Sequence, residues 1–186
     1  MISRILPDKI KYDGSQIAPL WAYSMGIKGD SMVIFHGPMD VAFDNMKDFE
    51  DKKAGKTIQG DDLIHIIVER FDSPASMRLA YYMQRLLMVC IRDVLMRQGI
   101  QTTRSGDDLF IDEGKLTVSI ATAGVTSEKI HCGINITTEG TPAEVRTAAL
   151  KDFGITDWKP LAREIAETYV NEIEDIEGDI VKTRSL

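Results

Sequence analysis

The stretch Ser105-Gly106-Asp107-Asp108-Leu109-Phe110-Ile111-Asp112-Glu113-Gly114-Lys115-Leu116 decides how this chain is read. Asp107 to Asp112 and Lys115 to Ala123 have the composition of two strands, with a tight turn at Asp112-Glu113-Gly114 between them. Leu116, Val118 and Ile120 alternate with Thr117 and Ser119, which is the period of a half-buried strand. A lysine just past such a turn enters one face of a sheet at a fixed height. Lys115 can there donate to a carbonyl or phosphate oxygen while the strand holds its stem rigid. Taken alone, the same residue also reads as a solvated lysine at a turn.

Outward from this stretch the chain alternates strands and helices without a steady βαβ rhythm, so the fold class is α+β. Downstream, Lys129 to Thr138 is strand-like. From Pro142 the pattern is helical, broken at Gly154, with a second helix from Trp158 to Asp175 and a strand or tail over Gly178 to Leu186. Upstream lies the clearest element, in which Leu79, Met83, Leu86, Leu87, Cys90, Ile91, Val94 and Leu95 recur at helical spacing. Asp72 or Ser73 suits its cap, Pro74 its first position and Gly99 the position past its end. Leu63 to Glu69 is rich in β-branched residues and reads as a central strand. Met32 to Phe35 reads as a buried strand that stops at His36-Gly37-Pro38. Ile5 to Tyr12 is a short strand, and Asp13 or Ser15 caps a helix running to about Met25. Phe43 to Gly60 is polar and rich in lysine and acid, a surface loop of little regular structure suited to act as a lid.

At 186 residues the chain fits one domain with a substantial core. Its formal charge of −7 argues against broad contact with nucleic-acid phosphates. No apolar run approaches the roughly 18 residues that span a membrane, so no membrane contact is expected and a cytoplasmic setting is the default. Cys90 and Cys132 lie in apolar runs without a Cys-x-x-Cys or Cys/His cluster, as buried thiols do. His36, His65 and His131 lack metal-ligand spacing and sit on or beside apolar strands, where a satisfied core histidine is the usual outcome. His36 is the exception singled out for binding, because a His-Gly-Pro turn exposes its ring at a strand end. Arg70 and Arg104 can bind a carboxylate or phosphate bidentately, or else form surface ion pairs.

The string Gly-Asp-Asp-Leu-Phe-x-x-x-Gly-Lys-Leu at 106–116 resembles the Asn-Asp-Leu…Gly-Arg-Lys-Leu/Ile segment of biotin and lipoate protein ligases. Ile130-His131-Cys132-Gly133-Ile134-Asn135-Ile136 stands where those families carry a strand reading Gly-x-Gly-Ile-Asn. Phe35-His36-Gly37-Pro38 is similar to the Tyr-His-Gly-Pro loop of octanoyltransferases, and Phe153-Gly154-Ile155 stands at their Cys-Gly-Ile. The order of these matches is the families' order. The whole chain also resembles an uncharacterised, mainly archaeal family in the same superfamily, which includes class II aminoacyl-tRNA synthetases. The resemblance implies the ligase-like catalytic fold, a mixed, mostly antiparallel sheet packed with helices. It places Lys115 on the lysine that contacts the acyl carbonyl and phosphate, Asp108 on the aspartate of Asn-Asp-Leu, and Gly133 and Asn135 on the Gly-Ile-Asn strand. His36 and Gly37 then fall beside the substrate.

Two departures bear on the chemistry. Ligases that form an acyl-adenylate use a Gly-rich loop whose backbone N–H groups approach the phosphates, and around Glu69-Arg70-Phe71-Asp72 there is an arginine but no such loop, which puts ATP in doubt. Octanoyltransferases need a thiolate, and Phe153 stands in its place. The expectation is an enzyme handling an activated acyl group beside Lys115, with a small acyl or carboxylate ligand and a carrier protein as partners. The alternative is a small-ligand-binding or partner protein that kept the fold without the reaction. An uncovered edge near Met32 to Phe35 suits a homodimer.

Overall fold

The structure, a computed structural model, describes residues 1–184. Five strands form one sheet in the order β1 (Ile2–Lys9), β2 (Ser31–Asp40), β3 (Gln59–Phe71), β8 (Ser127–Asn135) and β7 (Thr117–Ala123). β1 runs parallel to β2, and every other pairing is antiparallel. A second, three-stranded sheet holds β4 (Thr103–Ser105), β5 (Asp108–Ile111) and β6 (Gly114–Lys115). The α-helices among the described residues are α1 (Trp21–Ser24), α2 (Phe49–Ala54), α3 (Met77–Arg97) and α4 (Trp158–Lys182).

Strand alternation divides the large sheet into two faces. Met32, Ile34, Ile64, Ile66, Val68, Ile130, Cys132 and Ile134 point to the face covered by α3 and α4. Ala80, Met83, Leu87, Ile91, Val94 and Leu95 of α3 meet them at steps of three and four, as do Leu161, Ile165, Tyr169 and Ile173 of α4. Each fully buried Leu or Ile contributes roughly 1.5–3 kcal/mol over leaving it exposed, so this face is the main source of stability. The opposite face carries Phe35, Leu63 and Ile67, and is covered by irregular chain around Tyr12, Ile17 and Met39 rather than by long helices. That thinner covering leaves room for cavities.

Several elements depart from the sequence expectation for local reasons. β2 continues through His36 and Gly37 to Asp40, because Ile10 and Tyr12 bond to it from the far side. A side chain at Gly37 would collide with the carbonyl of Ile10, so only glycine lets the two segments approach. Residues 13–25 form a 3-10 turn and the short α1, with Leu20 in the left-handed region between them, instead of one helix. The 43–60 stretch is more regular than expected: Asp48 caps α2 by accepting from Glu50 and Asp51, and β3 already begins at Gln59. Ser76, not Asp72 or Ser73, caps α3 by accepting from Leu79 N–H, which leaves Pro74 in the preceding turn. The segment after Pro142 is not a helix. It runs alongside Lys115 through an isolated bridge at Thr147, and only Leu150–Phe153 makes a 3-10 turn. The strand following the Asp112-Glu113 turn splits, so that β6 pairs with β5 while β7 joins the large sheet. α4 runs on past Asp175 to Lys182, where a strand or tail was expected, and Ser185 and Leu186 of that stretch lie outside the described residues.

Candidate functional site

Lys115 is placed by its backbone on three sides. Its N–H donates to Arg146 O at 2.9 Å, and its carbonyl accepts from Ala148 N–H at 3.0 Å and from Asn135 Nδ2 at 3.2 Å. Asn135 Nδ2 also donates to Ala148 O at 3.1 Å, so one amide ties β8, β6 and the 146–148 segment together. Gly114 permits this approach, since a Cβ there would lie 3.0 Å from both Cβ and N of Ala148. The pairing Phe110↔Lys115 puts Asp108 and Lys115 on one face of the small sheet as diagonal neighbours. Lys115 Nζ lies 2.8 Å from Asp108 Oδ2, with both side chains only partly exposed. Burial pushes the Asp108 carboxyl up, against the opposing pull of the Lys115 ammonium. The neighbouring Asp107 is engaged from behind by Arg85 at 2.7 Å and Gln84 at 3.0 Å.

Two adjoining cavities open at this pair. The first, about 250 Å³, extends from Lys115, Asp107 and Asp108 to Tyr12, Ile120 and His131 on the open face of the large sheet. The second, about 190 Å³, is lined by Thr117, Asn135, Pro142, Val145 and Thr147. Lys115, Asp51, Met39, Ile58 and Val118 border both. Asn45, Met46, Lys47, Asp48 and Asp51 wall the first cavity, so the segment read as a lid contributes a side of it. Asn45 anchors that side by donating from Nδ2 to the carbonyl of Asp13 at 3.0 Å.

The structure thus brings Lys115, Asp108 and Asn135 together, and sets the other sequence candidates apart from them. Gly133 sits on the same face of β8 as Asn135, wedged against Leu63 and Val118, where a side chain would crowd both. His36 points to the helical face, its Nδ1 3.2 Å from Asp62 Oδ1 and its ring against Trp158. Gly37 gives its carbonyl to His65 Nε2 at 3.1 Å. Arg70 pairs with Glu177 of α4 and lies 3.3 Å from Asp72. Arg104 is exposed on β4 and donates to Gly106 O at 2.5 Å. His36, Arg70 and Arg104 border neither cavity.

Several cavity residues carry no site reading in the sequence, Tyr12, Asp107 and His131 among them. A signal for one of them existed, because His131, Gly133 and Asn135 alternate along β8 and so share a face. The thiols offer no nucleophile here. Burial pushes Cys90 up to about 11 and Cys132 further, and neither lines the cavities. Phe153 closes the 3-10 turn before Gly154, exposed and lining neither cavity. Among the described residues no group of three His, Cys, Asp or Glu side chains is placed to hold a metal ion, and no helix is long and apolar enough to cross a membrane.

The fold is shared with known proteins. A lipoate-protein ligase A structure bound with ATP superposes with TM-score 0.57 at 13% identity, covering 94% of this chain and 86% of that one. A biotin protein ligase from Aquifex aeolicus, in complex with biotin and ATP, gives 0.58 at 12% identity over 92% and 70%. At these identities the likeness is one of fold. A protein of unknown function from Pyrococcus horikoshi is far more similar, with TM-score 0.93 and 38% identity over the full length of both chains. The uncharacterised protein MJ0805 of Methanocaldococcus jannaschii is 41% identical over 184 residues, which is 96% of this chain and 82% of that protein. With the family model matching residues 1–184, the chain belongs to the family described as Domain of unknown function (DUF366).

Proposed function

We propose that this protein handles an activated acyl group beside Lys115. The observation that carries the reading is the Lys115–Asp108 pair, 2.8 Å apart, at the junction of a polar and a more apolar cavity. A carbonyl seated at that junction meets an ammonium that stabilises the negative charge developing on oxygen during acyl transfer. Asp108 holds Nζ toward the junction, and Asn135 with residues 146–148 fixes the height from which the side chain rises. The acyl chain lies along Val118, Pro142 and Val145, and the leaving group on the Asp107 and Asp108 side. The ligands named for the structural neighbours, lipoate, biotin and ATP, supply the acyl classes to try first.

A second reading, a ligand-binding protein without the reaction, is favoured by the two buried thiols and by Phe153 in place of a nucleophile. Thermal unfolding with ATP and with non-hydrolysable lipoyl-, biotinyl- and octanoyl-adenylate analogues tests whether the site at Lys115 takes an acyl group, and transfer or hydrolysis of the corresponding natural acyl-adenylate then separates the two. An analogue at about a hundred times its Kd stabilises the fold by roughly 2.7 kcal/mol. A rise in midpoint with one analogue, lost in Lys115→Ala, is the expected result and names the acyl class. No rise with any analogue sends the assignment to the second reading.

A further inference from the structure

The floor of the polar cavity is a stack of rings that the proposed chemistry leaves unused. Tyr12 lies flat on His131, with ring centres 3.6 Å apart and planes 9° from parallel. His131 meets His65 edge to edge, Nε2 to Nδ1, at 3.1 Å. His65 Nε2 in turn lies 3.1 Å from the carbonyl of Gly37.

These contacts fix where the protons are. A carbonyl only accepts, so His65 carries its proton on Nε2. Burial holds His65 down to about 4 and His131 well below its ordinary value, so both rings are neutral near pH 7. His65 Nδ1 is then a lone pair, and His131 must donate to it from Nε2. One proton per neutral ring leaves His131 Nδ1 as a second lone pair. Among the described residues no side chain or backbone group donates to it.

Its direction follows from the rest of the ring. Nε2 turns toward β3, and Cε1 faces Gly133, where a built Cβ would lie 3.6 Å away. Nδ1 is therefore on the β7 side, where Val118 and Ile120 share the face of His131 and line the cavity. Tyr12 covers one face of the ring, and the lone pair lies in the ring plane, clear of that contact. Tyr12, stacked on this ring, belongs to an apolar cluster with Ile17, Met39, Val118 and Ile120. An ammonium would lose its hydration against such side chains, whereas a neutral donor meets an acceptor that otherwise goes without one.

We infer that the inner end of the ligand in this cavity is a neutral N–H, of the kind found in a secondary amide or lactam, donated to His131 Nδ1. This rests on the cavity being the ligand site proposed above, and it adds a specificity contact some way along the sheet from Lys115.

The test is nitrogen NMR on protein labelled with ¹⁵N in its histidines. The free protein should show His131 protonated on Nε2 and bare on Nδ1. Titration with δ-valerolactam should move the Nδ1 resonance in the direction of hydrogen bonding, while N-methylvalerolactam, which lacks the donor, should bind about tenfold more weakly or worse. A proton found on His131 Nδ1 overturns the inference before any ligand is added. So does equal binding of the two lactams, or an Nδ1 resonance that neither moves up to the solubility limit. Repeating the titration in Lys115→Ala keeps the two proposals apart, because the floor contact should survive there even if acyl handling at Lys115 fails.

Discussion

A neutral imidazole packed between other rings has nowhere to put a second proton, and His65 and His131 are both in that position. His65 titrates at about 4 in the folded protein against 6.5 in an unfolded chain, with burial as the main cause. His131 is likewise held well below its ordinary value, by burial and by His65. The sign follows directly: the unfolded chain takes up protons below 6.5 that the folded protein refuses. The stability is fully present above pH 6.5 and is lost as pH falls toward 4. Between pH 7.5 and 5, His65 alone should remove about 2 kcal/mol, in a window where ordinary exposed carboxylates are still largely ionised. Urea midpoints measured at pH 7.5, 6.5 and 5 check this, and a flat profile would sink the neutral-pair description. Sequence reasoning placed both histidines in the core without showing that they touch. Their contact comes from the register His65↔Gly133 and Ile67↔His131, which no local pattern states. Lys115 and Asp108, by contrast, were legible because they sit seven residues apart across one short turn. Arg70 has the composition of an anion binder, yet the far end of α4 supplies its carboxylate, a contact spanning 107 positions.

At the scale of elements, β6 is only two residues long and owes its place to what flanks it. Two backbone bonds to residues 146 and 148 and the Asn135 amide hold it, and Gly114 keeps the gap narrow enough for them. Gly114→Val should push Ala148 away and cost about 1–3 kcal/mol, as overpacking of a close contact does. Hydrogen exchange is the sharper readout. The amides of Lys115 and Ala148 should lose protection together, while α3 remains as slow as before. Unchanged exchange at both amides would show that the 146–148 segment does not hold β6. The same segment explains one misreading. Residues 142–149 have helical composition, but Lys115 and Asn135 offer partners for an extended backbone, and tertiary pairing outweighs a weak local preference. The cap of α3 was missed by a few residues for a smaller reason. Ser76 and Ser73 are equally good caps on paper, and only Ser76 has the helix starting at the next residue. The long, strongly periodic elements were the legible ones, because their pattern repeats over many turns.

The whole molecule is asymmetric about its large sheet, and that asymmetry decides where binding energy can be felt. One face is sealed by two long helices and contributes most of the buried apolar surface. The other is closed by short helices and loops drawn from separated parts of the chain, near Tyr12 and Ile17, over 45–58, and at Asp107 to Ile120. The α+β class was readable from the irregular alternation of elements. The division of labour between the faces was not, since alternation along a strand marks two sides without saying which one a long helix will cover. A ligand in the cavities touches all three open-face segments at once and none of α4. Binding should therefore slow hydrogen exchange together at 12–17, 45–58 and 107–120, and leave 158–182 unaffected. Fluctuations of the thin face are the low-energy openings that such exchange reports, whereas opening the α3–α4 side requires breaking the main core. Exchange measured by mass spectrometry with the best acyl-adenylate analogue, in the parent protein and in Lys115→Ala, decides the matter. Protection confined to one segment would mean that the cavity walls move independently and that the ligand sits on one of them. Protection spread into α4 would place the ligand elsewhere, because no cavity at Lys115 reaches that helix.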